Sequence, residues 1–236
     1  MNKHIYESPA EVAENFAQFF LNLTKGNEEF HVALSGGSTP KILFDFISQN
    51  LASEFDWSKI HLWWGDERCV PPTDSDSNYK MTKERLIDHI SIPESNVHRV
   101  LGENTPKEEA MRYAEEIEKA IPSQNSLPQF DLILLGMGDD GHTASIFPHE
   151  IELLNSKQTC DVAVHPESGQ NRITITGDTL NNASNIVFLV TGANKKEKIQ
   201  SIFTKVGGYL DYPAAHIKPS EGNLFWFMDK AAWGNS

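Results

Sequence analysis

A glycine-rich turn carrying a histidine, Gly136-Met137-Gly138-Asp139-Asp140-Gly141-His142, follows an apolar run at 130–135. Imidazole titrates near neutral pH, so a histidine held at the C-terminal end of a buried strand suits a general base. Asp140 stands two residues before His142 and can orient its ring. A second loop, Gly65-Asp66-Glu67-Arg68-Cys69-Val70-Pro71, sets an arginine beside two acids straight after another apolar run. The Arg68 guanidinium is a fixed cation whose fork can face a carboxylate or a carbonyl oxygen. Asp66 and Glu67 stand open between catalysis and scaffolding. Asn78, in Ser75-Asp76-Ser77-Asn78-Tyr79, offers a neutral donor and acceptor suited to hydroxyl groups.

A third loop, Ser35-Gly36-Gly37-Ser38-Thr39-Pro40, has the character of an anion cradle. Gly36 and Gly37 admit close backbone approach, N–H groups at a helix start favour an anion, and Ser38 and Thr39 add hydroxyl donors. Neither the GxGxxG spacing of a dinucleotide site nor a Walker lysine is present. Two later cations, Arg172 at the start of a strand and Lys195 at the start of a helix, are candidates to join that cradle. A metal site would need a second ligand near His142; His149, seven residues on and past a proline, fits no usual spacing. Ser35 and Ser145 are alternative nucleophiles, but neither sits in a GxSxG elbow.

These loops need strands to hold them. Apolar β-prone runs at 30–34, 60–64, 130–135 and 186–190 predict strands, those at 130–135 and 186–190 of the fully buried kind. Further strands are predicted at 160–164, 172–176 and 224–228. Helical spacing predicts helices at 8–23, from Thr39 or Pro40 through 47, at 78–89, 106–120 and 194–203. Pro9 and Pro40 fall in first turns, where a missing N–H does no harm. Strands alternating with helices imply parallel βαβ units in a three-layer α/β sandwich with a mostly parallel central sheet. No repeat or linker divides the chain, so one domain over 1–236 is expected.

Composition narrows the partners. Hydrophobic residues at 39% are enough for a sizeable core, and no run of 18 apolar residues is present to span a membrane. The N-terminus lacks the apolar segment of a secretory signal. Cys69 and Cys160 are far apart in the chain and read as reduced thiols of a cytoplasmic protein. A net charge of −13 disfavours nucleic acid and anionic membranes as partners. Any anionic ligand must therefore be held by local cations and N–H groups against the global field.

Taken in order, LSGGSTP at 34–40, GDERCVP at 65–71, SDSNY at 75–79, GMGDDGHTASIFP at 136–148, TGANK at 191–195 and the stretch from Pro213 to Asp229 resemble the 6-phosphogluconolactonase family. The larger group includes glucosamine-6-phosphate deaminase and ribose-5-phosphate isomerase. Deaminases continue after the histidine turn with an Asn-Glu-Pro segment, where this chain reads Ser145-Ile146-Phe147-Pro148. Asp139, His149 and Cys69 stand at positions that depart from the pattern. The resemblance implies a modified Rossmann-like sandwich that opens 6-phospho-D-glucono-1,5-lactone to 6-phosphogluconate in the oxidative pentose phosphate pathway, without a cofactor. It implies a phosphorylated sugar lactone as the partner and a cytoplasmic monomer or weak homo-oligomer. In that scheme His142, oriented by Asp140, activates water and Arg68 faces the oxyanion. Gly36, Gly37, Ser38, Thr39, Lys195 and Arg172 take the phosphate, and Asn78 takes hydroxyls. The alternatives are a deaminase or related isomerase, and a non-catalytic sugar-phosphate sensor.

Overall fold

The protein is described by a computed structural model over residues 2–219 and 221–234; Met1, Ser220, Asn235 and Ser236 lie outside the described residues. The apolar runs at 30–34, 130–135 and 186–190 become the middle of a sheet, because a strand covered on both faces has no position for an exposed polar side chain. β2 (Phe30–Leu34) and β7 (Leu132–Leu135) are buried at every residue, and β10 (Asn185–Val190) at all but its first. With β1 (Asn2–Tyr6), β3 (Ile60–Trp64) and β11 (Asn223–Asp229) they form one sheet in the order β1–β11–β10–β7–β2–β3. Every pairing in it is parallel. β1 escaped the sequence reading because it is a polar, half-exposed edge strand without an apolar face.

Helices flank this sheet. α1 (Pro9–Thr24) starts where the Ser8 hydroxyl accepts the Glu11 N–H at 3.3 Å, and it buries Val12, Phe16 and Phe20. It packs on α2 (Ser38–Asn50) and β11. α3 (Asn78–Arg85) is shorter than the spacing predicts, since Leu86 leaves helical geometry at φ −128°, ψ −61° and only a 3₁₀ turn follows. α4 (Pro106–Ala120) keeps its predicted bounds.

The runs predicted at 160–164 and 172–176 do not extend the parallel series. β8 (Cys160–Val164) and β9 (Asn171–Ile175) pair antiparallel, and β9 pairs antiparallel with β4 (Asp66–Arg68) in a separate three-stranded sheet. Chain length is the reason. Only the six residues 165–170 join β8 to β9, enough for a hairpin, whereas a parallel crossover needs a dozen or more. β5 (Ser123–Gln124) and β6 (Leu127–Pro128) form a small hairpin whose turn residues Asn125 and Ser126 have positive φ. The chain closes with α5 (Gly177–Asn181), α6 (Lys196–Thr204) and α7 (Lys230–Trp233). No helix among the described residues is long and apolar enough to cross a membrane.

Successive strands leave β2 in opposite directions: β3 lies on one side, β7, β10 and β11 on the other. Such a switch opens a crevice at the C-terminal ends of the strands, where ligands bind in open α/β sheets. The glycine loop follows β2, the arginine loop β3, and the histidine turn β7.

At the other side of the sheet's middle, the β2 histidine His31 is 3% exposed, accepts the Trp63 indole N–H on Nδ1 at 3.2 Å and stacks on His61 at 4.7 Å. Burial first, and the neighbouring His61 second, push its pKa down to about 4. The native state therefore refuses a proton that the unfolded chain accepts below about 6.5, so stability is full above that value and declines as pH falls toward 4. His31 alone should make the protein about 2 kcal/mol less stable at pH 5 than at pH 7.5. His31→Gln, which keeps an acceptor for Trp63, should flatten that part of the slope in urea unfolding at the two pH values. An unchanged slope would remove His31 from the account.

Candidate active site

The glycine loop turns from β2 into α2 through Gly37, which has φ +107° and caps the helix without a side-chain bond. Its first N–H groups are the orphan donors of any helix start, here at the mouth of the crevice. A Cβ at Gly36 would lie 1.9 Å from Asn78 Oδ1, so any larger residue there would have to displace that buried amide. The Thr39 and Thr191 hydroxyls meet at 2.8 Å, tying the first turn of α2 to the end of β10.

The arginine loop is built around a buried carboxylate. Glu67 Oε1 accepts the N–H groups of Arg68 at 2.7 Å and Asn78 at 2.8 Å, while Oε2 accepts Ser77 Oγ at 3.0 Å and Tyr79 N–H at 2.7 Å. Burial raises its carboxyl above the usual range, against the pull of those N–H groups. Glu67 is thus a scaffold that folds 77–79 against β4. Asp66 is also buried and accepts Ser145 Oγ at 2.7 Å, but it lines the crevice. The Asn78 amide donates to Asp66 O at 3.0 Å, so it braces the loop as well as facing the crevice.

Arg68 and Arg172 are direct partners across β4 and β9. Arg68 Nη1 donates to Asp76 O at 2.6 Å, and the Arg172 guanidinium lies 5.8 Å above the Phe147 ring. The Nε of each is buried and has no hydrogen-bond partner among the described residues. Burial, and then the charge of Arg68, push the pKa of Arg172 down. Two adjacent cations with orphaned donors are an arrangement that an anion would relieve.

The histidine turn completes the site. His142 Nδ1 lies 2.6 Å from Asp140 Oδ1, which also accepts the His142 N–H at 3.0 Å. Burial raises the Asp140 carboxyl, but the bonds from the imidazole and backbone outweigh it and bring the pKa down to about 2. An ionised Asp140 accepts a hydrogen bond from Nδ1–H, which keeps the proton on Nδ1 and leaves Nε2 with a free lone pair. Gly138 has no room for a side chain, since a Cβ would sit 2.2 Å from His142 Nδ1. Gly141, at φ +86°, is closed over by Tyr212. Lys195, on the 3₁₀ turn after β10, pairs its ammonium with Asp139.

One cavity of about 200 Å³ is lined by Gly36, Gly37, Ser38, Thr39, Arg68, Asn78, His142, Arg172 and Lys195. Of the ten residues picked from the sequence, only Asp140 lies outside its lining, behind the imidazole it orients. The reading missed Thr191, Gly136 and Ala144, which also line it. Thr191 was legible as the first residue past a buried strand; Ala144, at φ +47°, carries no chemical signal. His149 instead stacks on Phe147, and no cluster of three His, Cys, Asp or Glu side chains suited to a metal occurs among the described residues.

A parallel α/β sheet with an anion cleft and an aspartate-oriented histidine at its switch point defines a class of small-anion enzyme scaffold. The chain belongs to the glucosamine-6-phosphate isomerase/6-phosphogluconolactonase family, whose model matches residues 6–226. A 6-phosphogluconolactonase from Haemophilus influenzae is 42% identical over 233 residues, covering 98% of each chain. One from Treponema pallidum is 45% identical over 202 residues, covering 86% of this chain and 84% of its own. The solved structure of 6-phosphogluconolactonase from Trypanosoma brucei superposes with a TM-score of 0.85 at 27% identity, covering 98% of this chain and 97% of that one.

Glu67→Gln tests the scaffold assignment. Whichever way the amide turns, its NH₂ group faces a buried backbone N–H. The substitution should cost about 2–4 kcal/mol in denaturant unfolding. A loss below about 0.5 kcal/mol, the size expected of a neutral surface change, would show that the four bonds are dispensable.

Proposed function

We propose that this chain hydrolyses 6-phospho-D-glucono-1,5-lactone to 6-phosphogluconate in the oxidative pentose phosphate pathway. The observation that carries the reading is the meeting of His142, Arg68, Arg172, Lys195 and the start of α2 in one cavity sized for a small ligand. Lactone opening needs a nucleophile, a home for the developing oxyanion and a proton for the departing ring oxygen. His142 takes a proton from water through Nε2 while Asp140 holds the ring. The hydroxide adds to the lactone carbonyl, and Arg68 faces the oxyanion, where a fixed donor is worth roughly 3–4 kcal/mol. The imidazolium then returns its proton to the leaving alkoxide, so no net charge is left on the protein.

Gly36, Gly37, Ser38, Thr39 and Lys195 grip the 6-phosphate, with Arg172 beside them and Asn78 toward the sugar hydroxyls. That remote hold positions the carbonyl for attack. A serine nucleophile is disfavoured by the hydrogen bonding. Ser145 Oγ is buried and donates to Asp66, and Ser35 Oγ donates to the Gly36 carbonyl at 3.4 Å, so neither is activated by His142. The lactonase relatives also favour this reading over the deaminase and sensor alternatives. The enzyme works in the cytoplasm as a monomer or weak homo-oligomer.

A coupled assay on freshly generated lactone, corrected for spontaneous opening, tests the reading. His142→Ala should lower kcat by 10²–10⁴, and retention of more than about a tenth of the activity would sink the general-base role.

The adjacent arginines can be told apart by the same assay. Arg68→Lys should fall mainly on kcat, by roughly 10²-fold, because an ammonium cannot reproduce the fork. Arg172→Lys should act mainly on KM. The opposite split would exchange their assignments.

A further inference from the structure

Asp139 stands outside the cavity lining and yet touches a residue that lines it. Its Oδ1 takes both the Lys195 ammonium and the Asn194 amide, the latter at 2.8 Å. The Lys195 side chain is 18% exposed, turned into the crevice, whereas that of Asp139 is 70% exposed at the rim. An ammonium has three N–H donors, so the contact with Asp139 leaves two for a ligand. The same turn carries Asp140 and His142, so Asp139 joins the catalytic turn to the cation after β10.

We propose that Asp139 is a positioning residue that acts through Lys195, a counter-charge that limits how tightly the cleft holds a phosphorylated ligand. The proposal rests on the reading that Lys195 grips the 6-phosphate. A phosphate approaching Lys195 meets a carboxylate already bonded to that ammonium. The attraction of the lysine is then offset by repulsion between two anions a few ångströms apart. Because Asp139 is solvated, the offset is moderate and falls with salt. Its consequence is a weaker hold on both substrate and product, since both carry the phosphate.

Asp139→Asn separates charge from geometry: the amide keeps an oxygen for Lys195 and Asn194 and loses the negative charge. The KM for the phosphorylated lactone and the inhibition constant of inorganic phosphate should both fall, by roughly three- to tenfold at low ionic strength. The difference should shrink at 1 M salt, where the Debye length is about 3 Å. Unchanged or weaker phosphate inhibition in Asp139→Asn would overturn the proposal. Lys195→Ala, measured alongside, should raise both constants. If it does so and Asp139→Asn still fails to tighten binding, the counter-charge is wrong and the phosphate grip stands. If Lys195→Ala leaves both constants unchanged, the grip itself is wrong, and the action of Asp139 through Lys195 goes with it.

Discussion

Two arginines set opposite one another across β4 and β9, each charge acting on the other, impose the constraint that organises this molecule. Like charges repel, and their buried Nε groups lack partners among the described residues, an electrostatic cost that an anion in the cleft would relieve. Glu67 makes the arrangement possible without cancelling it. Its carboxylate is taken up by the Arg68 N–H and by three donors at the start of α3, so it fixes the backbone that carries Arg68. A scaffold that had neutralised Arg68 directly would have spent the charge that an anionic ligand needs.

The rest of the cleft follows from close packing around that pair. Gly36 and Gly138 allow two walls to approach, one against Asn78 and the other against the imidazole of His142. The antiparallel sheet brings Arg172 from a distant part of the chain to the partner position of Arg68. The parallel sheet brings the loops after β2, β3 and β7 to one end, because parallel strands share a direction and so share a C-terminal edge. Neither sheet alone assembles the site. The parallel one supplies the histidine and the glycine loop, the antiparallel one the two arginines.

A chain of net charge −13 that binds an anion depends on short-range chemistry. Orphan N–H groups at the start of α2, two guanidiniums and one ammonium line one cleft, where they would act on an anion within a few ångströms, inside the distance over which salt screens the global field. Asp139 and Asp140 show how differently two consecutive carboxylates can be used. Asp140 is held ionised by the ring it orients, and Asp139 sits in solvent against the ammonium of Lys195, a residue of the cleft lining.

Much of this was legible in the residue order. Apolar runs marked β2, β7 and β10, the last two as covered on both faces, and glycines soon after them marked the loops that line the cleft. Those are local properties, since burial pattern and backbone freedom are carried by the residues themselves. The polar edge strand β1 and the short β4 have no such signature; their partners make them strands. Residue order likewise left Asp66 and Glu67 equivalent, two acids beside an arginine. Only the folded chain separated them, by enclosing one among four donors and setting the other in the cleft wall. The same holds for Arg68 and Arg172, more than a hundred residues apart in the chain and neighbours across a β-ladder. Pairing across such a distance is decided by the free energy of the whole fold, to which no single segment holds the key.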